Sequence, residues 1–229
     1  MQTAIVQCGE ADHPEPLPLV VSAVEPLPAP IPPHHALVRV LAVALNPNDH
    51  KMVTHFPMPE YGAGCDFCGV ITLVNTEGDP DSETDPDIAA AGNAALDNDK
   101  APCVPPGRAG TRVCGTVFPY APVDAQDQHH RIGAFSEYVV VDRRLLLRVP
   151  EDWTDLQGAA LGGVGWSTVG LAMSSPDALA LTGLPSKPAE SKEPVLVYGG
   201  GTATGTMACQ LLQRYAAAQP QPLSHAVGT

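Results

Sequence analysis

The stretch Val195-Leu-Val-Tyr-Gly-Gly-Gly-Thr-Ala-Thr-Gly-Thr206 constrains this chain more than any other, together with the helix-like run Met207 to Tyr215 that follows it. A short β-rich apolar run, a glycine cluster and a helical pattern read as the first strand, turn and helix of a dinucleotide-binding unit. Glycine suits the turn because the backbone must bend sharply. It also lets phosphate oxygens approach the amide groups at the helix N-terminus, whose dipole favours negative charge. Gly199 and Gly205 keep the outer spacing of the usual fingerprint, whereas Thr202 and Ala203 stand where further glycines are common. A strand, loop and core helix of any other α/β protein is the competing reading.

The chain has 229 residues, enough for a sizeable core in one or two domains. Its 12 Lys and Arg against 25 Asp and Glu give a net charge of −13, which argues against nucleic acid as a partner. Eight of those acids lie between Glu77 and Asp99 with no Lys or Arg among them, so the rest of the chain carries only −5. The N-terminus has no signal-peptide pattern, and no apolar run approaches the roughly 20 residues of a membrane span, so a cytoplasmic protein is expected. Six dispersed cysteines, at 8, 65, 68, 103, 114 and 209, suit free thiols better than a disulfide framework.

Along the chain, residues 3–8 predict a strand, and the proline-rich run from Pro14 to Pro33 an extended connector. A longer strand over 36–46 leads into a short helix at Asn46-Pro-Asn-Asp-His-Lys-Met52, with Pro47 allowed in its first turn. Gly64 to Val74 reads as a tight turn and a strand. From 75 to 110 the composition predicts a disordered acidic surface insertion. Short β runs return at 111–117, 133–141 and 145–149, and so many short strands with turns between them predict a barrel-like or strongly bent sheet. Thr154 and Gln157 have capping-box spacing ahead of a helix over 159–173. Residues 174–193 then form a linker to the glycine turn.

In order, Asn46-Pro-Asn-Asp49, Gly64-Cys-Asp-Phe-Cys-Gly69, Gly110-Thr-Arg-Val113, Gly133-Ala-Phe-Ser-Glu-Tyr138 and the glycine turn resemble medium-chain dehydrogenase/reductases. Within that superfamily, the Asn-Pro-x-Asp-x-Lys-Met run, Ser167 to Met173 and Val-Tyr-Gly-Gly-x-Thr-Ala-Thr resemble the trans-acting enoyl reductases of fungal polyketide synthases. The resemblance implies an α/β fold: a GroES-like bent β-barrel domain over 1–150, then an incomplete Rossmann NADP-binding domain over 151–229. It also implies NADPH as cofactor, and as partner a polyketide or hybrid synthase that carries the acyl chain. The protein itself would be a monomer or homodimer.

The resemblance carries residue roles with it. Zinc alcohol dehydrogenases bring Cys, His and Cys to the catalytic metal, where this chain offers Asn46, Cys65 and Val164, so no metal is expected. The CxxC pair Cys65 and Cys68 runs into a strand, where positions i and i+3 face opposite sides, and ordinary half-buried cysteines are expected. Without zinc, the chemistry is hydride transfer to the β-carbon of an enoyl thioester and protonation at the α-carbon. Lys51 is the candidate acid or oxygen-directed donor beside the cofactor, with a solvated surface lysine as the alternative. Asn48, Asp49 and Thr168 would face the nicotinamide, although Asp49 has the position of a helix cap and Thr168 that of a packing residue. Gly199, Gly200, Gly201, Thr202, Ala203 and Thr204 would hold the pyrophosphate, and Phe135, Ser136 and Tyr138 would adjoin the acyl chain unless they are plain core. Adjacent His129 and His130 are given no role.

Relative to that family the sequence ends early. A strand over 195–198 without neighbours predicts instability there and weak NADPH affinity. Two other readings remain open at this point: a quinone-oxidoreductase-like reductase of free enones, and an inactive, shortened binding protein.

Overall fold

In the computed structural model, residues 1–8, 17–24, 30–77, 108–122, 131–181 and 194–215 are described. Strand β1 (Gln2–Gln7) pairs antiparallel with β2 (Leu19–Val24). The proline-rich connector expected over 14–33 is therefore interrupted by a strand. Its residues Leu-Val-Val-Ser-Ala-Val lie between Pro18 and Pro26, with β-branched side chains and every backbone N–H available.

Strands β3 (His35–Ala44), β4 (Asp66–Val74), β5 (Arg112–Thr116), β6 (Tyr138–Asp142) and β7 (Leu147–Arg148) form one antiparallel sheet in the order β6-β3-β4-β5-β7. Register shifts at Leu37/Val38 and Val40/Ala42 bend β3. The outer edge of β1 bonds to two loops: Ile5 N–H to Phe135 O (2.8 Å), Gln7 N–H to Tyr61 O (2.7 Å) and Glu137 N–H to Thr3 O (3.1 Å). The strands thus wrap into the strongly bent arrangement that the short β runs predict.

Central β4 is buried from Asp66 to Gly69 because both of its faces are covered. Phe67 and Ile71 enter a core with Ala36, Val38, Val113, Val139 and Val141. On the other face, Cys68 and Cys114 pack with Val149 and with Ala159 of helix α2 (Asp155–Leu161). The capping box expected at the start of α2 is present: Gln157 N–H donates to Thr154 Oγ1 (3.2 Å) and Thr154 N–H to Gln157 Oε1 (2.8 Å). The base of the acidic insertion is pinned, with Asn75 N–H donating to His35 O (2.9 Å) and Gly110 N–H to Ile71 O (2.8 Å). The rest of the predicted disorder, residues 78–107, lies outside the described residues, as do His129 and His130.

Two compact units result, Met1–Val164 and Gly165–Thr229. The single helix expected over 159–173 is instead two, α2 and α3 (Val164–Ser174), parted at Gly162 and Gly163. The cause is tertiary. The buried Asp66 carboxylate accepts the N–H groups of Gly163 and Val164 and starts a new helix there. In the second unit α4 (Ala203–Tyr215) packs on α3, where a Cβ on Gly165 would lie 2.7 Å from Met207 Sδ. The strand expected over 195–198 does not form, and Leu196 and Tyr198 are 91% and 99% exposed. A β-run needs a neighbouring strand to take its hydrogen bonds, and none stands beside it among the described residues. No helix of the described residues is long and apolar enough to cross a membrane.

Candidate active site

Helix α1 (Pro47–His55) starts at Asn46, with Pro47 in its first turn as the sequence predicts. Asp49 is buried, and its Oδ2 accepts the Asn46 N–H at 2.8 Å, so it closes the helix start. The Asn46 side-chain amide donates to Asp66 Oδ2 at 2.9 Å. Asp66 Oδ1 accepts from Gly163 N–H (2.9 Å) and Val164 N–H (3.0 Å). One buried carboxylate at the start of β4 therefore joins the start of α1 to the start of α3. Beside it, Tyr120 Oη donates to Asp49 Oδ1 at 2.9 Å and accepts the Gly64 N–H at 2.8 Å.

Cys65 lies between these carboxylates. Burial first, then the neighbouring Asp49 and Asp66, push its thiol far above the ordinary range, while a hydrogen bond from Asn48 acts the other way. Burial likewise pushes the Tyr120 phenol up and keeps it a neutral donor. The positions of Asn46, Cys65 and Val164 are thus filled by a hydrogen-bonded lattice. Among the described residues there is no group of three or more His, Cys, Asp or Glu that could hold a metal ion.

The remaining expected residues of the first unit are spread over its surface. Lys51 is exposed on α1 and Asn48 is half-buried, so this unit by itself does not desolvate the lysine. Phe135 and Ser136 line an open apolar depression of about 590 Å³ together with Ile5, Val40, Val43 and Leu45. Tyr138 is not part of that lining; it lies in β6, where its N–H donates to the buried Gln2 Oε1. The Ser136 hydroxyl is directed at the carbonyls of Gly133 (2.7 Å) and Tyr138 (2.9 Å), which is a structural use.

In the second unit, the glycine turn brings its six expected residues together at the start of α4, with Thr168 exposed on α3. Gly199 has φ +81°, Thr202 Oγ1 donates to Gly199 O (2.9 Å) and accepts from Gly205 N–H (3.0 Å). A Cβ on Gly205 would lie 2.2 Å from Gly199 O, so only glycine lets the turn fold onto the helix. Gly200 and Gly201 are exposed, and the space around Gly201 is open. A capped helix N-terminus behind an open, Cβ-free turn fits a pyrophosphate.

Residues 32–151 match the family described as alcohol dehydrogenase GroES-like domain. The chain belongs to this family. The GroES-like chain is 53% identical to trans-enoyl reductase calK of Penicillium decumbens over 93% of its own length and 51% of the relative's. It is 46% identical to trans-enoyl reductase sthE of Phaeosphaeria nodorum, over 93% of this chain and 49% of that one. Among solved structures, an alcohol dehydrogenase superfamily protein from Novosphingobium aromaticivorans superposes with a TM-score of 0.59 at 23% identity, covering 94% of this chain and 51% of that one. The medium-chain dehydrogenase/reductase resemblance read from the sequence therefore holds. The GroES-like chain spans about half the length of the curated relatives it matches.

Sequence reasoning missed Asp66 and Tyr120. An aspartate inside the apolar run of β4 was itself a signal, because an unpaired carboxylate is almost never buried. Tyr120 gave none. The CxxC cysteines are more deeply buried than expected, both at 0% exposure, and they enter different cores. Burial raises Cys68 to about 11 and, with Cys68 beside it, Cys114 to about 12. The unfolded chain releases these protons near the ordinary thiol value of about 8.5, whereas the folded chain retains them. Their stabilising contribution is therefore complete below that value and is lost as pH rises through 11 and 12. Urea unfolding from pH 8 to 11 is expected to show a midpoint that falls above about pH 9, less steeply in Cys68→Ala.

Proposed function

We propose that this protein is an enoyl reductase acting in trans. It uses NADPH to reduce an α,β-unsaturated thioester held on the carrier domain of a polyketide or hybrid synthase in secondary metabolism. In this reading the protein is cytoplasmic and works as a monomer or homodimer. Residues 1–150 form the substrate-facing domain and 151–229 belong to the nucleotide-binding domain. The observation that carries the reading is the similarity to trans-enoyl reductases along 93% of the chain. The Cβ-free turn at the start of α4 supports it.

The bound cofactor supplies the hydride that goes to the substrate β-carbon. Gly199, Gly200, Gly201, Thr202, Ala203 and Thr204 hold its pyrophosphate at the positive end of α4. Asn48 and Thr168 orient the nicotinamide side, and Asp49 contributes by holding the first turn of α1. As negative charge develops on the thioester oxygen, Lys51 either donates a hydrogen bond to it or delivers the proton that completes the α-carbon. Phe135, Ser136 and Tyr138 adjoin the acyl chain.

The test is an NADPH titration of the purified chain, followed by tryptophan fluorescence and melting temperature. Saturable binding with a raised melting temperature is expected. It should disappear in Gly205→Val, whose side chain collides with the Gly199 carbonyl. Absence of binding to the unaltered chain would overturn the reading. With binding in hand, turnover of a crotonyl-pantetheine thioester against a free enone of equal length separates trans-acting reduction from action on free enones.

A further inference from the structure

The roles above leave the Tyr120 hydroxyl unused, although it is buried in a network that reaches the helix bearing Asn48 and Lys51. Tyr120 is 4% exposed and shares a core cluster with Val53 and Met52 of α1 and with Ala63 and Cys65. The Phe118 ring meets it edge-on, with centroids 5.6 Å apart. A continuous path of hydrogen bonds runs from Gly64 N–H to Tyr120 Oη (2.8 Å), from Tyr120 to Asp49 Oδ1 (2.9 Å), and from Asn46 N–H to Asp49 Oδ2 (2.8 Å).

This path ties the entry of β4 to the start of a nine-residue helix. A helix so short has little stability of its own, and its direction depends on what holds its first turn and its apolar side. Val53 and Met52 supply the apolar side. The first turn rests on Asp49, whose carboxylate is held by the Tyr120 hydroxyl at 2.9 Å and by the Cys65 thiol beside it. Lys51 follows Asp49 by two residues and projects to the exposed side, so a tilt of the first turn displaces its ammonium.

We propose that Tyr120 is a positioning residue: through Asp49 it fixes the first turn of α1 and thereby sets where Asn48 and Lys51 point. The inference rests on the roles proposed above for those two residues, but the geometry of the path does not.

Tyr120→Phe keeps the ring and removes only the hydroxyl. In the full chain, amide hydrogen exchange within 47–55 is expected to quicken about tenfold, the size of one lost hydrogen bond, with 112–116 and 138–142 unchanged. A uniform rise, or no change in 47–55, would overturn the proposal. Asp49→Asn, which turns an NH2 group toward one of the two donors that Asp49 now accepts, should show the same local change, and it carries the comparison should Tyr120→Phe not fold. In enoyl-thioester turnover, Tyr120→Phe is expected to lower kcat about tenfold with the NADPH KM held within about twofold. Added to Lys51→Ala, it should cause no further loss, whereas an additive loss would show that Tyr120 does not act through Lys51. A chain with no turnover in any form sinks the reductase reading alone, and the exchange comparison still decides the role of Tyr120.

Discussion

Replacing Asp66 with alanine is expected to remove about 3–5 kcal/mol of stability, read as a lower urea midpoint at unchanged slope. The carboxylate is 4% exposed and accepts three hydrogen bonds, from the Asn46 side chain and from the N–H groups of Gly163 and Val164. Its removal leaves these donors without their acceptor where water enters poorly, and it takes a negative charge from the positive end of α3. Asp66→Asn keeps an acceptor oxygen for the backbone donors, and Asn46 can reverse its amide to meet the new one. Its loss should be nearer about 1–2 kcal/mol. An alanine variant within about 1 kcal/mol of the parent would mean that Asp66 does not hold the three elements together.

Gly133→Ala is expected to be at least as damaging, for a reason of space. A Cβ at Gly133 would stand 2.1 Å from Ala63 O and 2.5 Å from Ala63 C, and a Cβ at Gly62 would stand 2.3 Å from Gly133 N. The obstacles are backbone atoms, which cannot rotate aside. The two segments would have to part, and with them the bonds from Gly62 N–H to Arg131 O (2.7 Å), Ala134 N–H to Gly64 O (2.9 Å) and Phe135 N–H to Ala63 O (3.0 Å). Overpacking usually costs about 1–3 kcal/mol, and the broken ladder adds to it, so a loss above about 3 kcal/mol or failure to accumulate soluble protein is expected. Gly110→Ala provides the contrast. Nothing lies within 4 Å of a Cβ there, and only the strain of φ +87° remains, about 1–2 kcal/mol. Melting curves of the two variants side by side should separate them clearly, and equal losses would show that backbone contact at Gly133 is not what matters.

The sequence was most readable where structure depends on near neighbours. The Thr154–Gln157 capping box, the start of α1 at Asn46-Pro47 and the turn before α4 are each written in three to seven consecutive residues. Central β4 was visible because its covered stretch, Phe67 to Ile71, is an unbroken apolar run. The misreadings share a different cause. Proline density hid β2, although the six residues between Pro18 and Pro26 that form it are free of proline. The division of one helix into α2 and α3 follows from Asp66, which is 97 residues from Gly163 in sequence. The strand at 195–198 does not form because no partner strand stands beside it among the described residues, and local propensity is blind to that. For the same reason the site was half legible. The glycine turn and the Asn46–Lys51 segment could be named in advance, but Tyr120 meets Asp49 across 71 residues and nothing nearby announces it.

The ties at Asn75 and Gly110 bear on how the sheet is closed at this end. Asn75 is tied to β3 through His35, and Gly110 to β4 through Ile71. The sheet therefore closes below the insertion, whatever lies between the two ties. Closing a chain segment costs entropy that grows only with the logarithm of its length, about 0.6 kcal/mol for each doubling. The two ends are thus placed by bonds to the sheet itself, from Asn75 to His35 and from Gly110 to Ile71.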